Sequence, residues 1–370
     1  MKTHSLSITF RNYDLSSFIS IPYKDLIKFI SIFNLIFIVS SFYFSFLIFK
    51  TLHFQGDKDV NPTFSHIIKK AVENSPIFHG KHRLILSMAN NGMIKMAMNY
   101  LCSLKYANIS SNYFILIATD PQTYLTLSPL SPSVVFYPSN LSQTAVNNKQ
   151  IKKFYNFLHL RTRIAIEILK LGCDVITSDI DIVFLSDINS LFTYESDLEA
   201  QHDSKDIINP EHTNPPSWKL NLGFHLWHSS NVSIEMTKRI LSMMLRMPKN
   251  HDQSVFRKMT KRLPMKWEPN SDVFSVDVSS LLGYKSNLRI KTINGLLAVN
   301  PGGVFIKNPK KWKNAAINAG LKKPILIHFF HLGSLQEKVY MAKIHGLWFE
   351  HHQKCLQKPP YGTNWPFWSN

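Results

Sequence analysis

Two aspartates, Asp179 and Asp181, stand one residue apart at the end of the apolar run Asp174-Val-Ile-Thr-Ser-Asp179-Ile-Asp181. In an extended chain, residues two apart project from the same face, so the pair offers hard oxygen ligands to one divalent cation. Magnesium or manganese held there would offset the charge of a diphosphate leaving group and act as a Lewis acid in breaking the bond to it. A solvated strand end is the plain alternative. Position favours chemistry, because open α/β sheets bind ligands beyond the carboxyl ends of their strands. A metal-dependent phosphatase or nuclease also uses strand-end carboxylates, but the further acidic ligands of a two-metal site are missing.

The elements that carry this pair are legible in the hydrophobic pattern. Arg83 to Ala89 reads as a buried strand, Met93 to Tyr106 has helical spacing, and Tyr113 to Thr119 reads as a second strand. Val134 to Tyr137 is a third strand among prolines, and Phe154 to Leu171 is a helix that stops at Gly172 before the run into the aspartates. Strands alternating with helices predict an α/β fold with a mostly parallel central sheet covered on both faces. Beyond Ser186 the regularity weakens, and Asn209 to Pro216 reads as an irregular loop. Arg161 and Arg163 lie on the helix before the aspartates, where they either face a diphosphate or sit solvated on the helix surface, the plainer reading.

The chain has 370 residues, 45% hydrophobic and 12% aromatic, enough for a buried core and unlike a disordered protein. Its 42 Lys+Arg against 24 Asp+Glu suit an anionic partner. The basic residues are scattered, with no RNA- or DNA-binding signature, so no nucleic-acid partner is expected. Cys102, Cys173 and Cys355 are too few and too far apart for a disulfide scaffold or a zinc site. At most one bridge can form, and three buried small hydrophobes are an equal alternative.

Phe29 to Phe49 is an uncharged apolar stretch bracketed by Lys28 and Lys50. Its length matches the ~20 residues of a membrane-crossing helix and exceeds the apolar core of a cleaved signal peptide. Lys2, Arg11, Lys24 and Lys28 precede it, which places the N-terminus in the cytosol and the rest in a lumen. The sequons at Asn108, Asn140 and Asn231 agree with a lumenal domain. The expected plan is a cytosolic tail (1–28), a transmembrane signal anchor (29–49), a stem (50–80), a folded domain (81–355) and a C-terminal tail (356–370). Golgi membrane, single-pass type II, is the expected location, with the membrane as a partner through the one N-terminal helix.

The stretch from Gly172 to Asp187, with its glycine, apolar strand and Asp179-x-Asp181, resembles the core of the nucleotide-diphospho-sugar transferase domain family, glycosyltransferase family 77-like. Further segments are similar in consistent order: Ser196 to Asp203, Leu220-Asn-Leu-Gly-Phe224, His251-Asp-Gln253, Ile325-Leu-Ile-His328, then Gly333, Lys338 and His345-Gly-Leu-Trp348. Consistent order over roughly 82–350 is far harder to reach by accident than one triplet.

The resemblance implies a glycosyltransferase A-type, Rossmann-like nucleotide-sugar-binding domain, a UDP-sugar donor, manganese (or magnesium) and transfer with retention. Carried over by position, Asp179 and Asp181 bind the metal and the donor, and His328 is the late third metal ligand, with His331 its rival. Asn221 and Gly223 bring backbone close to the donor sugar, although a turn glycine would look the same. Asp252 and Gln253 hydrogen-bond the sugar or steady an oxocarbenium-like transition state, unless Asp252 is only a helix cap. The segment Leu263 to Leu297, where an acceptor would dock, matches loosely. The expected function is metal-dependent transfer of a xylose-, galactose- or arabinose-type sugar to a glycan or glycoprotein in the secretory pathway. The alternative is a catalytically silent, lectin-like lumenal protein on the same fold.

Overall fold

The computed structural model describes residues 62–139, 151–202, 220–247, 249–268, 273–299, 309–321, 323–330, 332, 334–351 and 354–356. All belong to one unit, Lys58–Asn370. The tail and anchor expected at 1–49, the first part of the expected stem (50–61), the loop at 209–216, Asn140, His331 and nearly all of the tail at 356–370 lie outside the described residues. Among the described residues no helix is long and apolar enough to cross a membrane.

The folded unit reaches further toward the N-terminus than residue 81. Helix α1 (Pro62–Asn74) places Phe64, Ile68 and Val72 four residues apart on one face, and all three are buried in the core. Strand β1 (Ile77–Phe78) then pairs with the start of β2 (Lys81–Ala89). The part of the expected stem from 62 to 80 is therefore built into the domain, because its apolar stripe has a core to cover.

The central sheet begins as the hydrophobic runs predict. Strands β2, β3 (Phe114–Ala118), β4 (Val134–Phe136) and β5 (Asp174–Ser178) pair in parallel in the order β4-β3-β2-β5. Strands β3 and β5 are buried throughout and β2 from Arg83 onward, as strands covered on both faces must be, while β4 at the edge is buried only at Val134. From β5 onward the expectation of a mostly parallel sheet fails. Strand β8 (Leu220–Trp227) runs antiparallel to both β5 and β7 (Leu198–His202). Strand β11 (Asn287–Ile293) is parallel to β7, while β10 (Val273–Asp277) is antiparallel to β9 (Met265–Trp267) and to β11. The sheet is mixed, in the order β4-β3-β2-β5-β8-β7-β11-β10-β9. In this half only β9, β10 and β11 follow one another through short connections, which antiparallel neighbours allow and parallel ones do not.

Helices cover both faces. One face packs against α2 (Ile94–Tyr106) and the C-terminal segment. The other carries α1, α3 (Ile151–Lys170) and α4 (Asn231–Arg246). Helix α3 stops where Gly172 adopts φ +78°, the left-handed conformation that closes helices at low cost to glycine. Ser230 caps α4, its hydroxyl accepting from Ser233 N. A second, three-stranded sheet joins β12 (Ala298–Val299), β13 (Leu326–His328) and β6 (Ile182–Phe184). It carries the chain away from the two aspartates.

Cys102, on α2, is bonded to Cys355 across 253 residues of sequence, and Cys173 is a free, buried thiol. This settles the pairing that the sequence left open. The same seam is stitched by Asn99, whose buried amide donates to Leu347 O (3.1 Å) and accepts from Phe349 N (2.6 Å).

At the end of the sheet where β2 and β5 begin lies a buried ionic cluster. His228 donates through Nδ1 to Asp174 Oδ2 and through Nε2 to Glu199 Oε1, both at 2.9 Å. Arg83 lies 3.9 Å from Asp174 and against the ring of Tyr194 at 4.4 Å. These groups tie β2, β5, β7 and β8 together and leave the opposite end, where β5 finishes, for the site.

Candidate active site

The apolar run does not carry the aspartates as one extended strand. It breaks into β5 and β6, with Asp179, Ile180 and Asp181 in the turn between them. Ile180 is buried, so the turn is anchored by the residue between the two carboxylates. Asp179 N donates to Gly223 O at 2.7 Å, and Asp181 O accepts from Phe329 N at 2.9 Å. The turn is thus clamped between β8 and the residue after β13.

Strand β13 pairs antiparallel with β6, placing His328 opposite Ile182 and beside Asp181. His328 Nε2 lies 3.3 Å from Asp181 Oδ1 and 3.8 Å from Asp179 Oδ2. One ligand atom from each of Asp179, Asp181 and His328 falls within 4.8 Å of the others. The expected metal triad is therefore assembled from two separate stretches of chain, the β5–β6 turn and β13.

The donor set fits a divalent cation on its own chemistry. Gln201 Nε2 donates to Ala298 O, which turns Gln201 Oε1 toward His328 Nδ1 at 2.8 Å. With its proton on Nδ1, His328 presents a lone pair on Nε2 to the two carboxylates, and that buried nitrogen has no hydrogen-bond partner. A lone pair facing two anions needs a cation between them. Replacing Gln201 with Leu should weaken Mn2+ binding by about 10-fold or more, read by calorimetry, because tautomer and ring orientation are then unguided.

Gly223 is where strand β8 comes closest to this triad. A Cβ there would lie 2.5 Å from His328 Cε1 and 2.6 Å from Asp179 Oδ2. The position is a close approach within a strand rather than a turn, and it sits where the β7–β8 register shifts between Ala200 and Gln201. Asn221 Oδ1 accepts from Gly223 N at 2.7 Å and holds the irregular stretch in shape.

Arg161 departs from the solvated reading of its helix. It is 4% exposed, and its guanidinium donates to Asp179 Oδ1 through Nη1 and to Asp252 Oδ2 through Nη2 at 2.7 Å. Arg163, two residues on, is half-buried and is absent from the cleft wall. Asp252 opens helix α5 (Asp252–Thr260), but His251 is the capping residue, so the Asp252 side chain serves Arg161 instead. Gln253 Oε1 accepts from Leu222 N at 3.2 Å and joins α5 to β8. On the far side, Lys338 of helix α6 (Leu335–Ile344) donates to Asp181 Oδ2 at 2.6 Å.

These charges set one another's protonation. Burial works to raise the Asp181 carboxyl, but the Lys338 ammonium outweighs it and holds it well below the usual carboxylate range. Burial raises Asp179 against the pull of Arg161, and the neighbouring Asp181 carboxylate adds to the rise. Burial likewise opposes ionisation of Asp252, and Arg161 overcomes it. Burial works to lower Arg161, and Asp252 and Asp179 more than restore it. The site holds three carboxyl groups, Asp179, Asp181 and Asp252, against two cations, Arg161 and Lys338.

All seven predicted donor, metal and catalytic residues, Asp179, Asp181, Asn221, Gly223, Asp252, Gln253 and His328, line one cleft of about 380 Å³. Met88, Met93, Phe157 and Phe330 give it an apolar wall. Two of the three sequon asparagines, Asn108 and Asn231, are exposed. Sequence reasoning passed over Gln201 and misjudged Arg161. Neither carries a signal in its local sequence, since the partners of both lie far along the chain.

A family model for nucleotide-diphospho-sugar transferases matches residues 110–341, which takes in β3 to α6 and every residue of the cleft except Met88 and Met93. The chain belongs to this family. As a nucleotide-diphospho-sugar transferase it is a glycosyltransferase. Similar proteins include arabinosyltransferase RRA2 of Arabidopsis thaliana, 26% identical over 327 residues, 83% of this chain and 68% of that protein. Beta-arabinofuranosyltransferase RAY1 of the same plant is 29% identical over 173 residues, 45% of this chain but 31% of its own length. Among solved structures, glycosyltransferase GlyE of Streptococcus pneumoniae TIGR4 is similar at 13% identity and a TM-score of 0.38, over 70% of this chain and 56% of that one. Galactosyltransferase LgtC, solved with donor and acceptor sugar analogs, is similar at 12% identity and 0.38, over 67% and 87%.

Proposed function

We propose that this transferase is a metal-dependent enzyme that moves an arabinose-type pentose from a UDP-sugar to a glycan or glycoprotein, with retention, on a glycosyltransferase A-type fold. Relatives named as arabinosyltransferases favour arabinose over xylose and galactose, and the glycosyltransferase family 77-like resemblance is the ground for retention. The observation that carries the reading is the buried, partnerless His328 Nε2 aimed at Asp179 and Asp181. That is a ligand set for Mn2+ or Mg2+ rather than a glycan-binding surface, so it favours catalysis over the lectin-like alternative.

When bound, the cation supplies Lewis-acid neutralisation of the departing diphosphate. The chain's own residues do the rest. Lys338 adds a positive charge beside Asp181 where a phosphate would arrive. Asn221 and Gly223 form the part of the wall nearest the triad, where a donor sugar would lie. Asp252 and Gln253, fixed by Arg161 and by Leu222 N, stand ready to hydrogen-bond that sugar and to steady positive charge at its anomeric carbon. The apolar wall keeps water from competing for the transferred sugar.

The location we propose is the Golgi membrane, single-pass type II, with 29–49 as the anchor. The Cys102–Cys355 bond supports an oxidising, lumenal environment, and exposed Asn108 and Asn231 suit glycosylation. The reading is tested by titrating UDP into the full chain in detergent with and without Mn2+. Binding that needs the metal is expected; equal binding in EDTA would sink it.

A further inference from the structure

His228, the residue after β8, is buried between two carboxylates, and both of its ring nitrogens are engaged. Nδ1 lies 2.9 Å from Asp174 Oδ2 on β5, and Nε2 lies 2.9 Å from Glu199 Oε1 on β7. Each carboxylate also accepts from backbone: Asp174 Oδ1 from Ser229 N at 2.8 Å, and Glu199 Oε1 from Thr193 N and Tyr194 N, both at 3.1 Å. An ionised carboxylate only accepts, and a neutral imidazole donates through one nitrogen only. Two such contacts therefore hold one proton more than neutral histidine between two carboxylates supplies. Arg83, 3.9 Å from Asp174, offsets the remaining negative charge.

We infer that Asp174, His228 and Glu199 form a proton-operated latch, which clasps β5, β7 and β8 while it holds its extra proton and loosens the domain when rising pH removes it. Without that proton, a lone pair on one ring nitrogen faces a buried carboxylate at 2.9 Å, and an unpaired buried charge is costly. Burial works to lower the His228 pKa, but the hydrogen bonds to Asp174 and Glu199 outweigh it and raise it above the ordinary 6.5. A raised folded pKa gives stability that is full below 6.5 and is lost as pH climbs through the folded value. The other groups around the cluster are the cations Arg83 and Lys81, the Asp197 carboxylate, exposed His79 against the Tyr194 ring, the Cys173 thiol and the phenols Tyr113 and Tyr194. Burial pushes the thiol up to about 12 and raises both phenols, so these three stay uncharged near neutrality. Burial lowers His159, His225, His251 and His345, whose effect on stability therefore falls below 6.5 and leaves the latch's window clear.

The test is the melting temperature of the full chain in detergent as pH is raised from 6.5 to about 8.5. The wild type should lose about 2–4 °C per pH unit until the folded pKa is passed. In Glu199→Gln a neutral His228 suffices, because the amide can donate to Nε2 while Nδ1–H still serves Asp174, so the melting temperature should stay within about 1 °C over the same range. Should Glu199→Gln not fold, His228→Gln, which has no titrating ring, takes its place with the same expectation. A wild-type melting temperature that is flat or rises over this range overturns the inference. So does a folded variant that falls as steeply as the wild type.

Discussion

Asp181→Ala is expected to lower the rate of sugar transfer by about 10³-fold or more, from the several kcal/mol of charge stabilisation that a bound cation provides and the 1.36 kcal/mol that each decade of rate represents. Asp181 is the most constrained carboxylate of the triad, 7% exposed and bonded to Lys338, with His328 on its other side. Its depressed pKa keeps it ionised, and therefore a ligand, through the physiological range. The fold should survive, since Lys338 has a long stem and a side chain 22% exposed, and can carry its charge out to water. Steady-state kinetics with a UDP-sugar, beside a UDP titration in Mn2+, measures the effect. A variant that keeps activity within about tenfold of wild type would place the essential metal or charge elsewhere.

Gly223→Ala should be nearly as damaging, by about 100-fold in activity, because a single methyl group must displace the triad itself. The new Cβ would meet His328 Cε1 at 2.5 Å and Asp179 Oδ2 at 2.6 Å, distances at which one partner has to move. His328 is held by Gln201 behind it, and Asp179 is tied through its other oxygen to Arg161. Overpacking of this kind costs about 1–3 kcal/mol of stability, so the variant should fold with a lowered melting temperature. The informative comparison is Mn2+ affinity against melting temperature. Weakened metal binding in folded protein is the expected result; a variant with normal metal binding and normal activity would mean that β8 yields more readily than its two neighbours suggest.

What the sequence made legible follows a physical divide. The parallel half of the sheet rests on short, wholly apolar runs such as Phe114 to Ala118, whose burial on both faces is a local property of composition. The reversal at β8 is not local: Asn221-Leu-Gly-Phe224 reads alike whether its neighbours run parallel or antiparallel, and only pairing with β5 and β7 decides. Helix α1 is a similar case. Phe64, Ile68 and Val72 have helical spacing, but whether such a stripe meets a core depends on residues distant in the chain.

The same divide runs through the site. Asp179 and Asp181 carry their chemistry in their spacing, and His328, Asn221, Gly223, Asp252 and Gln253 were reached through family likeness. Arg161 was read as solvated because, on a helix, a buried arginine and an exposed one have the same spacing; its two carboxylate partners lie 18 and 91 residues away. Gln201 is harder still. A neutral amide that fixes a histidine tautomer has no sequence signature, although its displacement would disarm the metal site as surely as loss of a ligand.

The stitched seam between α2 and the C-terminal segment has a consequence for the order in which the protein is made. Helix α2 is among the first parts of the domain to be made, yet Asn99 and Cys102 find Leu347, Phe349 and Cys355 only after 248, 250 and 253 further residues. Until then, a buried amide and a thiol on the same helix lack their partners. Lys338 and His328, the last contributors to the cleft, arrive just before that closure. Thiol oxidation and completion of the catalytic centre are therefore linked in time, since both wait for the same C-terminal segment, and a chain stopped short of Cys355 would leave α2 unsealed.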